Sequence, residues 1–154
     1  LEAAWAAPPF AGFVDVDNSE LASPGQSPAS IAKHISGDWD GSRGGLIRIL
    51  FESMVITIAK RAAEIETLAG TPRNTLHVVG GPTRIAQLMQ WLADATNKEV
   101  IAGPVEATAL GNAAVQWKAL GVVSDLAEAR SRIALLPDVK RFTPSGNSAN
   151  WQRA

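Results

Sequence analysis

The sequence contains no cysteine, and its two histidines, His34 and His77, lie 43 residues apart. Without a thiol the chain can form neither a disulfide nor a thiolate metal site. Two isolated imidazoles do not supply the closely spaced ligands that a structural zinc site needs. We therefore expect no metal site that is built from this chain alone.

The sequence also lacks a long apolar run and a cluster of basic residues. No segment approaches the roughly 20 apolar residues of a membrane-spanning helix. The net charge is −1, and the lysines and arginines are scattered. We therefore expect neither a membrane nor a nucleic-acid partner. Hydrophobic residues make up 46% and charged residues 19% of the 154 residues, which is typical of one globular domain. We expect a cytoplasmic protein.

The chain begins Leu1-Glu2-Ala3-Ala4-Trp5, without a methionine. It also lacks the basic and then apolar pattern of a signal peptide. Two interpretations fit this start: the sequence is interrupted inside a longer protein, or its N-terminus has been processed.

Patterning divides the chain into three parts. Residues 1–45 carry several prolines and glycines without a long apolar period, which predicts a loop-rich lead-in. One short helix is predicted there, beginning at Pro28 with Ser27 as its N-cap. Residues 46–136 alternate between helical and strand patterns and are predicted as an αβαβαα core. Residues 137–154 show neither pattern and are predicted as an irregular tail.

A long amphipathic helix is predicted to open this core. Its apolar stripe runs at three- and four-residue steps from Ile47 to Ile65, and Gly70 would end it. The later predicted elements are a buried strand at Thr75–Val79, a helix from about Ile85, a strand at Glu99–Ala102, and helices at Thr108–Leu120 and Ser124–Leu135, the last capped by Ser124.

Helices that alternate with strands indicate parallel strand pairing. Two strands alone form a marginal sheet. The rest of the sheet is therefore expected to come from another part of the same protein or from a second copy of the chain. The fold class is α/β, rich in helix, with few strands and an incomplete sheet.

The strongest functional pattern is a strand followed by glycines and a helix, at Leu76–Thr83. Gly80 and Gly81 directly follow the apolar strand, and glycine lets a ligand approach the main chain closely. The amides at the start of the next helix favour an anion or the polar edge of a heterocycle. By itself this pattern is also compatible with a simple tight turn.

The sequence from Val78 to Gly121, VVGGPTRIAQLMQWLADATNKEVIAGPVEATALGNAAVQWKALG, resembles the adenosine-motif region of the FGGY carbohydrate kinases. Within it, IAGPVEATALGNAAVQ (Ile101–Gln116) is most similar to the rhamnulokinase branch of that family. RILFESM (Arg48–Met54) lies where the family has a long helix with a Glu-Ser pair. The resemblance is specific from residue 78 to 121 and weaker elsewhere.

The resemblance implies part of an actin-like, ribonuclease-H-like ATPase fold, namely the C-terminal domain of a two-domain kinase. That enzyme would transfer the γ-phosphoryl group of ATP to a hydroxyl of a ketose such as rhamnulose, with Mg²⁺. The catalytic base is expected upstream of Leu1, so that this chain alone would be inactive. By resemblance, the residues that would contact ATP or ADP are Gly80, Gly81, Pro82, Thr83, Ile85 and Gly111. Thr83 would offer its hydroxyl, and Gly111 would let its helix pack closely behind the turn.

The sequence departs from the family pattern at two of these positions. Pro82 stands where a glycine or alanine is usual and removes one amide donor. Ile85 stands where asparagine or serine is frequent. These departures leave open an alternative, a non-catalytic kinase-like domain that serves assembly or ligand sensing. A homo-oligomer is also compatible with the sequence.

Three acidic segments have structural alternatives to a functional role. Asp38–Ser42 is predicted to be a turn in which Ser42 caps the long helix rather than a cation or phosphate loop. Asp15 and Asp17 are predicted to lie on a loop edge. Glu52 is either a solvated charge paired with Arg48 or a polar contact facing the interdomain cleft.

Overall fold

The computed structural model describes residues 1–22 and 28–151. The chain forms two compact units, Leu1–Ala69 with Asn150–Ala154 and Gly70–Ala149. The elements of the first part of the chain are α1 (Glu2–Ala6), β1 (Gly12–Phe13), a 3₁₀ turn (Ser19–Ala22), α2 (Pro28–Ala32), β2 (Ser36–Gly37) and α3 (Arg43–Ala69). Those that follow are β3 (Thr75–Val78), a 3₁₀ turn (Gly81–Arg84), α4 (Ala86–Thr96), β4 (Glu99–Ala102), α5 (Ala107–Ala119), α6 (Leu126–Ile133), β5 (Lys140–Phe142) and α7 (Ser148–Trp151).

The first 45 residues contain more regular structure than predicted. The short helix at Pro28 is confirmed, while its predicted cap, Ser27, lies outside the described residues. The prediction of a loop-rich lead-in with one short helix is wrong at α1, and at β1 and β2, which pair antiparallel. Asp17 forms an exposed ion pair with Arg61 at 2.8 Å, in keeping with a structural role for this acidic loop.

Helix α3 begins at the predicted cap. The Gly45 amide donates to Ser42 Oγ at 2.9 Å, and the Ser42 amide donates to Asp40 Oδ1 at 2.8 Å. The second bond lowers the pKa of the Asp40 carboxyl. The prediction of a capping turn at Asp38–Ser42 is confirmed, and α3 ends at Ala69, before Gly70 as predicted.

The buried face of α3 differs from the predicted apolar stripe. Of that stripe, Val55 is fully buried, whereas Ile65 is 64% exposed. The buried apolar residues are instead Leu46 and Ile49 together with Val55, and between them lies the charged Glu52. The prediction was wrong because a buried charge adds nothing to the apolar periodicity from which the face was inferred.

Glu52 is paired with Arg48, as one alternative predicted, but the pair is not solvated. The Arg48 Nε–Glu52 Oε1 distance is 2.7 Å, and Glu52 is 1% exposed. Arg48 also donates to the carbonyls of Trp5 and Ala7, both at 2.9 Å. The pair therefore links α3 to the segment that leads out of α1.

The Glu-Ser pair of α3 accepts main-chain amides from the lead-in. Glu52 Oε2 accepts the Phe10 amide at 2.8 Å, and Ser53 Oγ accepts the Val14 amide at 3.0 Å. Phe10 has φ = 54°, a left-handed conformation that costs a non-glycine residue free energy. The carboxylate stabilises that conformation, because it gives the Phe10 amide its partner.

The second unit contains a three-stranded sheet in the order β3-β4-β5. β3 and β4 are parallel, as predicted, with Val78 opposite Ala102. β5 pairs antiparallel with β4. The prediction of an irregular tail is wrong here, since a strand of three residues is too short for its alternation to be recognised.

Helix α4 packs on β4 and forms the main core of this unit. The buried side chains shared by the two elements are Leu88, Met89, Trp91, Leu92, Ala93, Val100 and Ala102. α5 and α6 form a smaller cluster around Ala114, Val123 and Ala129. Strand β3 carries the exposed His77, and its other residues are half-buried, so the prediction of a buried strand is only partly correct.

The cap of α6 is Asp125 rather than the predicted Ser124. Asp125 Oδ1 accepts the Glu128 amide at 2.8 Å. Glu128 in turn accepts the Ser124 amide and hydroxyl at 2.8 and 2.9 Å, and these bonds lower the pKa of its carboxyl. The N-cap of α6 therefore lies one residue later than predicted, and Ser124 contributes as a donor to Glu128.

Residues after β5 are attached to α4 by polar contacts. Asp94, 4% exposed, accepts the Ser145 amide at 2.6 Å and its hydroxyl at 3.0 Å. Gln90 Nε2 donates to the Thr143 carbonyl at 2.8 Å. In the part of the chain that the structure describes, no helix has the length and apolar character needed to span a bilayer.

We predict that Glu52→Ala lowers the free energy of unfolding by about 3 kcal/mol, because it leaves the Arg48 guanidinium and the Phe10 amide without their carboxylate. Urea denaturation of the chain measures the loss. Glu64→Ala is the matched control, since it removes an exposed ion pair with Arg61 from the same helix and should cost less than about 1 kcal/mol. Equal losses for the two variants would contradict a stabilising role for the buried pair.

Candidate functional site

Strands β3 and β4 end at the same edge of the sheet. β3 ends at Val78 and β4 at Ala102, which are paired in register. The turns that follow are joined, because the Gly80 amide donates to the Pro104 carbonyl at 3.2 Å and the Gly103 amide to the Val78 carbonyl at 2.8 Å. Ligands of α/β sheets bind at this carboxyl edge.

Gly80 and Gly81 form the turn after β3, called the glycine turn below. It leads through a 3₁₀ turn into α4, which begins at Ala86, close to the predicted start. Gly80 has φ = 85°, a conformation that favours glycine. Its carbonyl accepts both the amide and the hydroxyl of Thr83, at 3.1 and 2.6 Å. The predicted strand-glycine-helix arrangement is therefore present, with Thr83 closing the turn.

Few polar groups of this turn are available to a ligand. Pro82 has no amide hydrogen, and the amides of Gly80 and Thr83 are already bonded. Among residues 80–83, the Gly81 amide is the main-chain donor without a hydrogen-bond partner in the described structure. Thr83 is 8% exposed and its hydroxyl donates to Gly80, which differs from the expectation that this hydroxyl is offered to a nucleotide.

Gly81 and Gly111 both face open space. A Cβ at either position would meet no atom within 4 Å. The expectation that Gly111 allows close packing of its helix is therefore wrong, since the residue is exposed on α5. Ile85 is half-buried and its amide donates to the Pro82 carbonyl at 3.0 Å.

A cavity of about 350 Å³ opens at this same edge. It is lined by Thr83, Arg84, Val105, Pro137, Asp138 and Lys140. Two of these side chains are cationic, and Asp138 accepts the Val105 amide at 2.9 Å. Sequence reasoning did not identify Arg84, Asp138 or Lys140. Asp138 and Lys140 lie in the segment predicted to be irregular. Their position at this edge could have been predicted only if β5 had been recognised in the sequence.

The first unit contains another cavity, of about 630 Å³. It is lined mainly by the consecutive residues Pro9–Phe13 and Ser36–Asp38. None of the predicted site residues lies in it. In residues 1–22 and 28–151 no three His, Cys, Asp or Glu side chains are grouped so that they could hold a metal ion.

Residues 1–120 match the C-terminal domain of the FGGY family of carbohydrate kinases. The chain is 40% identical over 99 residues to the rhamnulokinase of Halalkalibacterium halodurans, and this alignment covers 64% of this chain and 21% of that protein. It is 33% identical over 159 aligned residues to the rhamnulokinase of Pectobacterium carotovorum, covering 99% of this chain and 32% of that one. The ligand-bound xylulose kinase of Lactobacillus acidophilus superimposes with a TM-score of 0.68 at 16% identity, over 99% of this chain and 31% of that one.

The alignments to these relatives cover between 64% and 99% of this chain but only a part of each relative. The chain spans 21% and 32% of the length of the two rhamnulokinases. The likeness to xylulose kinase confirms the expected α/β fold. The chain belongs to the FGGY family of carbohydrate kinases, with the rhamnulokinases among its relatives, and corresponds to the family's C-terminal domain.

Proposed function

We propose that this chain is the nucleotide-binding part of an ATP-dependent sugar kinase of the rhamnulokinase type. The observation that carries the proposal is the position of Gly81, a bare glycine at the carboxyl edge of two parallel strands with an available amide. Neither packing nor a left-handed conformation requires glycine there. A ligand that lies against the main chain at this position would require a residue without a side chain.

We infer that adenosine and part of a phosphate chain would lie at this edge. Gly81 at the edge and Gly111 on α5 carry no side chain and face open space, and the cavity at the edge, of about 350 Å³, lies within the size range of small-molecule sites. Arg84 and Lys140 at this cavity bring positive charge for phosphate oxygens. Pro82 and Ile85 would add apolar contact, and Thr83 would hold the turn in shape.

ATP would supply the γ-phosphoryl group, and a ketose such as rhamnulose would accept it at a hydroxyl. Transfer of this kind depends on positioning, on a base and on Mg²⁺. The described residues offer no grouped carboxylates for Mg²⁺. By resemblance to the family, we propose that the base, the metal and most sugar contacts belong to parts of the protein outside this chain. A cytoplasmic location belongs to the same proposal.

The alternative, a kinase-like domain without catalysis, is favoured by one observation. A single amide of residues 80–83 is available, since Pro82 has none, the Gly80 amide donates to the Pro104 carbonyl and the Thr83 amide donates to the Gly80 carbonyl. Such a domain would bind ADP poorly even in a complete kinase. The experiments below separate the two functions.

We predict that Gly81→Val weakens ADP binding at least about 10-fold while changing the free energy of unfolding by less than about 0.5 kcal/mol. The side chain would occupy open space that the nucleotide needs. Two-dimensional amide NMR titration is suitable, because half of a two-domain site should bind with a Kd near about 1 mM. Ala127→Val, which adds similar bulk on the exposed side of α6, is the control. Equal ADP affinity of Gly81→Val and wild type would contradict the assignment of this turn.

We predict that Gly111→Ala raises the free energy of unfolding by about 0.5–1 kcal/mol, since glycine is unfavourable inside an exposed helix. The same change should weaken ADP binding if the nucleotide lies against α5. Urea denaturation and the NMR titration measure the two effects on one protein sample. A gain in stability without a loss of ADP affinity would remove Gly111 from the proposed site.

We predict that the 154-residue chain alone phosphorylates no sugar. Joined to the N-terminal two-thirds of the Pectobacterium rhamnulokinase, in place of the segment it matches, it should support ATP-dependent phosphorylation of rhamnulose. A coupled assay of ADP release measures this activity, and the same fusion with Gly81→Val is the control. A folded fusion that neither binds ADP nor transfers phosphate would favour the non-catalytic alternative, whereas sugar phosphorylation by the short chain would contradict the division of the site.

A further inference from the structure

Asp138 lies in the turn between α6 and β5, at the edge where the glycine turn is found. Its carboxylate Oδ2 accepts the Val105 amide at 2.9 Å. The turn around it is closed by the Val139 amide, which donates to the Leu136 carbonyl at 3.0 Å. β5 follows at once, with Lys140 opposite Ala102, so Asp138 is held beside the end of β4.

The main chain at Asp138 also lies against Gly103. A Cβ on Gly103 would be 2.7 Å from the Asp138 carbonyl oxygen and 3.0 Å from the Val139 Cα. Gly103 has φ = 115°, which again favours glycine. The turn after β4 is therefore held on both sides of Pro104, by this close approach at Gly103 and by the carboxylate at Val105.

Pro104 transmits this restraint to the glycine turn. It has no amide hydrogen, and its carbonyl accepts the Gly80 amide at 3.2 Å. The contacts form a continuous path from the Asp138 carboxylate through Val105 and Pro104 to Gly80. Gly81, the residue proposed to face the nucleotide, is next in the chain.

We propose that Asp138 is a positioning residue for the nucleotide-binding turn, an inference that rests on the proposed function. Its carboxylate holds the turn after β4 so that the Pro104 carbonyl stays in place for the Gly80 amide. A direct contact with phosphate is unfavourable for a carboxylate because both are negative, whereas a charged acceptor makes a strong hydrogen bond to an amide. Asp138 lies beyond residue 120, where the match to the family's C-terminal domain ends.

The test compares wild type with Asp138→Ala and Asp138→Asn, measuring hydrogen exchange of the Gly80 amide and the Kd for ADP by NMR. We expect Asp138→Ala to speed exchange of this amide about 10-fold or more and to weaken ADP binding by about the same factor. Asp138→Asn keeps a neutral oxygen acceptor and should restore both values to within about 3-fold of wild type. If Asp138→Ala does not fold, Asp138→Ser replaces it, because serine is too short to reach the Val105 amide.

Glu99→Ala is the matched control. Glu99 begins β4 at the opposite end and accepts from Arg141 of β5 at 3.0 Å, so its removal loosens the same strand pair far from the glycine turn. It should leave Gly80 exchange and ADP affinity unchanged. The proposal is overturned if Glu99→Ala matches Asp138→Ala, if Asp138→Asn is no better than Asp138→Ala, or if Gly80 exchange does not respond.

Failure of the proposed function gives a different result. If wild type binds no ADP while Gly80 exchange responds to Asp138→Ala and recovers in Asp138→Asn, the nucleotide assignment is wrong. The proposed role of Asp138 in nucleotide positioning is then also wrong, although the hydrogen-bonded path from Asp138 to Gly80 is confirmed. If wild type binds ADP but the variants do not differ from it, the nucleotide site stands and the positioning role is wrong.

Discussion

The candidate site depends on the parallel pairing of two four-residue strands, β3 and β4. Because the strands run in the same direction and Val78 lies opposite Ala102, the chain leaves both at one edge of the sheet. The Gly80 amide can then reach the Pro104 carbonyl, which joins the turns. Antiparallel strands would have placed these turns at opposite edges. The packing of α4 on one face of β4 and the pairing of β5 along its free side stabilise this short ladder.

The glycines of this region meet different physical requirements. Gly80 and Gly103 have φ values of 85° and 115°, and Gly103 also lies against main chain, so the fold itself favours glycine at both positions. Gly81 and Gly111 meet neither requirement, since open space surrounds them. A glycine inside an exposed helix lowers stability relative to alanine. The fold therefore does not account for Gly111, and under the proposed function a ligand that needs a surface without side chains would account for both residues.

The sequence predicted the elements whose signals are local. α3, α4 and α5 are long enough for a helical period, and glycines mark the ends of the strands, so these elements were found within a few residues. The short α1 and β5 were missed because a few residues do not establish a period. The predicted buried face of α3 was wrong because Glu52 is buried and Arg48 half-buried through contacts with the distant main chain of the lead-in.

The same distinction applies to the site. Gly80 and Gly81 were located correctly in the fold because strand, turn and helix are adjacent in sequence. The surroundings of Thr83 and Gly111 were not predictable, since they depend on which groups three-dimensional packing brings near. The Asp138 carboxylate accepts the amide of Val105, 33 residues earlier in the chain, and no sequence pattern in either segment predicts that contact.

The contacts that hold the glycine turn extend beyond residue 120, where the match to the family's C-terminal domain ends. The family match ends at residue 120, yet β5 at Lys140–Phe142 completes one side of β4. The buried Asp94 of α4 accepts from Ser145, and Gln90 of the same helix donates to the Thr143 carbonyl. A buried carboxylate without these donors would be costly, so α4 requires the later residues as much as they require α4. Residues 121–149 are therefore part of what holds the glycine turn in place, and a division of the chain at the end of the family match would separate the turn from its support.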